Sequence, residues 1–303
     1  MVTAPTTVDA AAAPAVRLAL DAMGTRFELV MFGDDPHRLR PAGEAALDVI
    51  ADWDRRLNWF SPASQLSYIN ARAADAPVGV DGDIFDLLVL CRDVWEQSGG
   101  AFDVTVAPLM AAWGFRGSGP ASPAAREYAR LCVGMDKVIL GSDRTVRYAR
   151  PGISIDLGGV AKGAALDAAA AVLRECGVMS ALLHGGTSSV VAIGAPPGSE
   201  AWPVAIETGH EQRPIVRLRD TSLSVSAPRG RTAITDRGPV GHIIDPRTGA
   251  PAERAGTVAV THPSGALCDA WSTALLVLGH HPTTLPPGMD AILDLTPIHE
   301  NAA

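Results

Sequence analysis

The chain has 303 residues, 47% of them hydrophobic, enough for one large domain or two intimately packed halves around a sizeable core. Its 25 Lys+Arg against 33 Asp+Glu leave a net charge of −8, which argues against general nucleic-acid binding, because that needs a basic face to neutralise phosphates. A small phosphorylated ligand held by a few local groups is not excluded.

The opening segment, MVTAPTTVDAAAAPAV, has no basic residue before Arg17, no long apolar stretch and no early cysteine. Residues 1–15 are expected to be a flexible leader on a cytoplasmic protein. No uncharged apolar run reaches the ~18 residues of a membrane span. Cys91, Cys132, Cys176 and Cys268 are widely spaced in apolar surroundings and form no CxxC pair or zinc-like cluster. They read as buried thiols in a reducing compartment.

In chain order, RLALDAMGTRFELVMFG alternates as strands around a Met23-Gly24-Thr25 break. PHRLRPAGEAALDVIADWDRRL predicts an amphipathic helix with Ala46, Val49, Ile50, Trp53 and Leu57 near one stripe. A second helix follows in DGDIFDLLVLCRDVWEQSGG, capped by Asp81 or Asp83 and closed by Gly99-Gly100. Residues 117–124, GSGPASPA, read as a polar loop. Strands are expected around 136–140, 144–149 and 152–156, then a helix over roughly 160–176. Strand-like runs return at 179–193, 202–207, 214–218, 222–227 and 256–261. LCDAWSTALLVLG, residues 267–279, is the last clear helix, and MDAILDL a closing strand. Without regular βαβ alternation, the class is α+β with a largely antiparallel sheet.

Several segments look chemical. In GISIDLGGVAKGAALD, residues 152–167, a strand ends at Asp156, two glycines turn the chain and a helix starts near Lys162. Such a helix start offers N–H groups to an anion, although the segment is neither a Walker loop nor a GxGxxG fingerprint and also reads as an ordinary turn. GHIIDPRTGAP carries His242 on a short apolar strand before a turn, either as a satisfied ring or as a proton acceptor. In SGGAFDVTVAPLMAAWGF, Phe102 reads as core, while Asp103 either bonds a nucleobase or ribose or caps the next helix. ALLHGGTSSVVAIG is a strand broken by Gly185-Gly186. Asp269 and Thr273, four residues apart, share one face of an otherwise apolar helix, where a buried carboxylate needs a partner. Hard oxygens, a Gly-rich helix start with a lysine, and a histidine together suit Mg²⁺ and a nucleotide phosphate better than zinc.

The order and wording of MGT, GGAFDVTVAPL, DLGGVAKG, HIIDPRTG and CDAWSTALLVLG resemble one family, the FAD:protein FMN transferases or ApbE family, from Met23 to about Gly279. The resemblance implies an enzyme that binds FAD as substrate, cleaves its pyrophosphate with Mg²⁺, and attaches FMN by a phosphoester to a threonine of a target protein, releasing AMP. It implies FAD contacts from Met23, Phe60, Ala101, Phe102, Asp103, Asp156 and Lys162. It further implies that Mg²⁺ is held by Asp269, Thr273 and the Ala161 carbonyl, with His242 as candidate base. The implied fold is one α+β unit of two interlocked halves with FAD in the cleft between them, so residues 16–303 would form a single transferase domain. The chain departs from the family's habits at Gln65, Ala164, Thr187 and Ser272; at Thr187 and Ser272 other members often or sometimes carry an acid. A Mg²⁺-dependent FAD pyrophosphatase and a non-catalytic flavin-binding protein are the competing readings.

Overall fold

In the computed structural model, which describes residues 2–3, 15–116, 119–208, 213–228, 232–235, 238–252 and 254–297, the first alternating run becomes a hairpin of Ala15–Ala22 against Thr25–Phe32. Its two-residue turn needs consecutive positive φ angles, which Met23 (51°) and Gly24 (70°) supply. Thr25–Phe32 pairs onward with Ala181–Gly185, and that strand with Ser189–Ile193. Ser222–Ser226, Arg254–His262 and Asp290–Pro297 complete a seven-stranded sheet, antiparallel at every pairing. The expected α+β class and antiparallel sheet hold.

Successive strand residues point to opposite faces, and here both faces are buried. Leu183, Val191, Ile193, Val258 and Val260 join the main core, under the helices Pro36–Leu57, Ala161–Glu175 and Gly265–Leu278. Leu182, Val190, Ala192, Leu223, Val225 and Ala259 form a second core with Trp202, Val204, Ile206 and Leu218 of a small sheet. The layers run helices, large sheet, small sheet. In the small sheet Val2–Thr3 pairs with Ile206 and Ala205. Of the expected leader, residues 1 and 4–14 lie outside the described residues.

The Pro36–Leu57 helix begins where the Asp35 side chain accepts a hydrogen bond from the His37 N–H, with Pro36 in the first turn. Ala46, Ile50, Trp53 and Leu57 are buried as the stripe predicts, together with Leu39 and Ala42. The second expected helix spans Gly82–Gln97 with Asp81 as its cap residue.

Other expectations need correction. The 152–156 run forms no strand: Gly152 is part of a turn, and residues 153–156 pair with no sheet. Its backbone is satisfied by a side chain instead: Asn70 accepts from the Ile155 N–H (2.8 Å) and donates to the Ile155 carbonyl (2.9 Å). The Asp156 N–H donates to Val104 O at 2.7 Å. Two short helices, Gln65–Arg72 and Pro123–Leu131, lie where no helix is expected, whereas Ala107–Ala112 follows the turn that Asp103 caps. Pro123–Leu131 begins inside the expected 117–124 loop, where Ser122 Oγ accepts from the Ala125 N–H and Pro123 opens the first turn. Residues 117 and 118 lie outside the described residues. Three cysteines are buried as expected, but Cys176 is exposed because it sits at the C-terminal end of the Ala161–Glu175 helix.

Candidate active site

The centre of the site is the crossing of two helices. A Cβ built on Gly163 would stand 2.1 Å from the Gly265 carbonyl oxygen, so Ala161–Glu175 and Gly265–Leu278 touch backbone to backbone. Each helix caps the other. Asp269 Oδ2 accepts from the Gly163 N–H (2.7 Å), in the first turn of Ala161–Glu175. Asp167 accepts from the N–H groups of Gly265 (2.7 Å) and Ala266 (3.0 Å) and from Ser264 Oγ (3.0 Å), all at the start of Gly265–Leu278. Carboxylates are favoured at helix N-termini by the dipole and by otherwise unpaired N–H groups.

Asp269, 3% exposed, therefore has its partners. Its Oδ1 accepts from Ser189 Oγ at 2.7 Å, and Lys162 Nζ lies 3.8 Å from Oδ2. Thr273 Oγ1 donates to the Asp269 carbonyl (3.1 Å), one helical turn back. Asp269 and Thr273 share a cleft of about 530 Å³ with Met23, Ala101, Phe102, Asp103, Asp156, Lys162 and His242. These nine residues come from loops, the start of the Ala161–Glu175 helix and the body of the Gly265–Leu278 helix, spread from 23 to 273, and the fold gathers them.

Two expected site residues stand apart from that lining. Ala161 is buried as the first residue of its helix. Phe60 is 71% exposed and lies against Arg116 of the cleft lining, whose guanidinium is 5.4 Å from its ring centroid. His242 lies just past the Gly238–Gly241 strand rather than on it. The following turn is scaffold: the Gly249 N–H donates to Asp245 O (2.8 Å), and Trp113 Nε1 donates to Gly249 O (2.8 Å).

Asp103 resolves as a cap. It accepts from the Thr105 N–H (2.8 Å) and hydroxyl (2.6 Å) and from the Met135 N–H (3.2 Å), with burial holding its carboxyl above the usual carboxylate range. Asp156 accepts from the Gly158 N–H (2.8 Å) and pairs with Arg116. That arginine stacks over Trp59, 4.2 Å from the ring centroid.

With this geometry in view, comparison with known proteins decides the relationship. The family model described as "ApbE family" matches residues 23–285. The chain belongs to the ApbE family. It is 34% identical over 278 residues to a FAD:protein FMN transferase of Rhodobacter capsulatus, covering 89% of this chain but 52% of that protein, so it spans about half the relative's length. A FAD:protein FMN transferase of Treponema pallidum is 32% identical over 284 residues, 84% of this chain and 78% of its own. The solved ApbE protein of Thermotoga maritima superposes with a TM-score of 0.80 at 26% identity, covering 88% of this chain and 87% of that one. The Pseudomonas stutzeri flavinyl transferase ApbE gives 0.78, also at 26% identity, over 88% and 85%.

Within this ApbE-family chain the departure at Ser272 has a local explanation. Ser272 is fully buried and hydrogen-bonds Ser226 (2.8 Å), Ser224 (3.2 Å) and the Asp269 carbonyl (3.0 Å). The strand Ser222–Ser226, SLSVS, turns its serines towards the helix and its Leu223 and Val225 into the second core. Thr187 lies exposed on the lip of the cleft. Sequence reasoning missed Asp167, Ser189 and Arg116. Their partners lie far along the chain, although Asp167 could have been flagged as a carboxylate on an otherwise apolar helix face.

Proposed function

We propose that this chain is a Mg²⁺-dependent FAD:protein FMN transferase, which cleaves FAD, releases AMP and joins FMN through a phosphoester to a threonine of a target protein. The observation that carries the reading is the convergence of Asp269, Thr273 and Lys162 in one cleft at a Gly-rich helix start. The same activity stands in the names of the Rhodobacter capsulatus and Treponema pallidum relatives.

The donor set fits Mg²⁺. Oδ2 of Asp269 accepts from the Gly163 N–H and Oδ1 from the Ser189 hydroxyl, and each oxygen keeps acceptor capacity. Thr273 donates its hydroxyl hydrogen to a carbonyl, leaving its oxygen as a neutral ligand. Gly159, where a Cβ would come 3.4 Å from the Phe102 ring and 3.8 Å from Thr273 Oγ1, keeps this part of the cleft open. One carboxylate, one hydroxyl and the Ala161 carbonyl leave room for the waters and phosphate oxygens that Mg²⁺ prefers. Bound there, the cation supplies charge neutralisation for the pyrophosphate oxygens.

The chain's own groups do the rest. Lys162 and the N-terminus of its helix hold the phosphates. Met23, Ala101, Phe102, Asp103, Asp156 and, at the rim, Phe60 position the remainder of FAD. His242 takes the proton of the acceptor threonine as its hydroxyl attacks the FMN phosphorus in line with the departing AMP. Residues 16–303 act as one transferase domain. A cytoplasmic setting agrees with four unpaired thiols.

Purified protein is incubated with FAD and Mg²⁺, with and without a threonine-bearing acceptor domain. AMP and protein-bound flavin fluorescence after denaturation are followed together. Release of AMP with covalent flavin on the acceptor is expected. AMP with only free FMN in the presence of a competent acceptor identifies a hydrolase, and tight FAD binding without AMP a carrier.

A further inference from the structure

Two kinds of tie hold the helices that carry the candidate metal ligands. One runs through Asp269 itself, to the Gly163 N–H at 2.7 Å. A cation drawing on that carboxylate would share it with this tie. The other runs through Asp167, from the face of Ala161–Glu175 to Ser264 Oγ, Gly265 N and Ala266 N at 2.7–3.0 Å. It uses no atom assigned to ligand or substrate, and Asp167 is absent from the lining of the cleft.

We propose that Asp167 is a positioning residue for the cation site: it fixes the register of the two helices, one of which carries the proposed Ala161 carbonyl ligand and the other Asp269 and Thr273. This deepens the Mg²⁺ reading above and rests on it. Asp167 and Asp269 lie on different helices, and each caps the partner helix. The crossing leaves little slack, since the Cα of Gly163 is only 3.3 Å from where a Cβ on Gly265 would stand. With the backbones in contact, a side chain accepting three hydrogen bonds at one helix start removes the remaining freedom to slide or rotate. A cation site assembled from two helices binds tightly only if both are already in place, because ordering them on binding subtracts from affinity. Groups that orient metal ligands from behind typically matter ten- to a hundredfold in metal affinity.

An alternative role is stability alone, as an N-terminal cap of Gly265–Leu278. The two separate in measurement. Mn²⁺, a paramagnetic probe for a hard-oxygen site, is titrated into wild type, Asp167→Asn and Ser264→Ala by electron paramagnetic resonance, with FAD affinity and urea unfolding measured in parallel. Asp167→Asn keeps the side chain's size but turns an N–H donor towards backbone donors. It is expected to weaken Mn²⁺ binding roughly tenfold or more and to raise the Mg²⁺ needed for half-maximal AMP release by the same factor. FAD affinity without cation should stay within about twofold. Ser264→Ala removes one of the three ties and should give a smaller loss, about two- to fivefold. It also serves if Asp167→Asn does not fold. Lower stability with unchanged Mn²⁺ affinity in the folded variants overturns the proposal and leaves a plain cap. Absence of any Mn²⁺ or Mg²⁺ binding by wild type overturns the metal reading itself, and this inference with it.

Discussion

Gly163→Ala tests the helix crossing directly. The added Cβ would meet the Gly265 oxygen at 2.1 Å, the Gly265 carbonyl carbon at 2.3 Å and the Ala266 nitrogen at 2.7 Å, where ordinary contact begins near 3.4 Å. All three are backbone atoms, so no rotamer change relieves the clash and the helices must part by more than about 1 Å. Overpacking of this kind costs about 1–3 kcal/mol. Parting also stretches the Gly163 N–H bond to a buried carboxylate, and a hydrogen bond to a charged group contributes about 1.5–3 kcal/mol. Alanine's better helix propensity returns about 1 kcal/mol. The expected net loss is about 1.5–5 kcal/mol in urea unfolding. Gly79→Ala is the control, since nothing lies within 4 Å of its added Cβ, and it should change stability by less than about 1 kcal/mol. A Gly163→Ala protein within about 0.5 kcal/mol of wild type would refute the close crossing and the capping argument with it.

Asp269→Asn should remove Mg²⁺-dependent AMP release while the circular dichroism spectrum stays that of a folded protein; surviving activity would sink the metal assignment. Asp103 gives a pH signature. Burial raises its folded pKa, so its stabilising contribution is full below the unfolded value of about 3.9 and is lost as pH rises through the folded value. Wild-type stability relative to Asp103→Asn should therefore fall as pH rises from about 4, and a rise over that range in urea titrations would contradict the burial argument. Thiol labelling of the native protein at pH 8 should modify Cys176 rapidly. Cys91 and Cys268, buried with their thiol pKa values pushed up, and buried Cys132 should react only on unfolding. Fast labelling at a second native site would show that the core opens.

What the sequence disclosed, it disclosed through periodicity and local chemistry. The Pro36–Leu57 stripe, the two-residue turn at Met23-Gly24 and the alternation of buried faces in the sheet all depend on neighbours a few residues apart. The Pro123–Leu131 helix was equally local. Its Ser-Pro start was visible, but the glycines and prolines before it outweighed that signal. The 152–156 run misled for the opposite reason, because its alternation is real but its backbone partners, Asn70 and Val104, are a side chain and a 3-10 helical turn rather than a strand. Arg116 could not be read at all, since its meaning rests on Asp156 and Trp59, which only the fold brings beside it.

The same logic explains how an apolar helix tolerates Asp269. Charge there is spread over three neighbours: a backbone N–H, the Ser189 hydroxyl and, more loosely, Lys162. At 3.8 Å the lysine is an ion pair without a hydrogen bond, and its side chain is 23% exposed. Under the proposed function it would turn to a phosphate without leaving the carboxylate unsolvated, because the other two partners remain. Around it the wall is neutral: Ser224, Ser226 and Ser272 satisfy one another and the Asp269 carbonyl. An acid at position 272 would have to find hydroxyl donors among those serines or, under the proposed function, share the cation. With serine there, Asp269 is left as the carboxylate of this wall. The departure at Ser272 therefore leaves this wall with one carboxylate and the Asp269–Thr273 pair intact; under the proposed function, cation binding would rest on that single side chain and on the helix crossing that aims it.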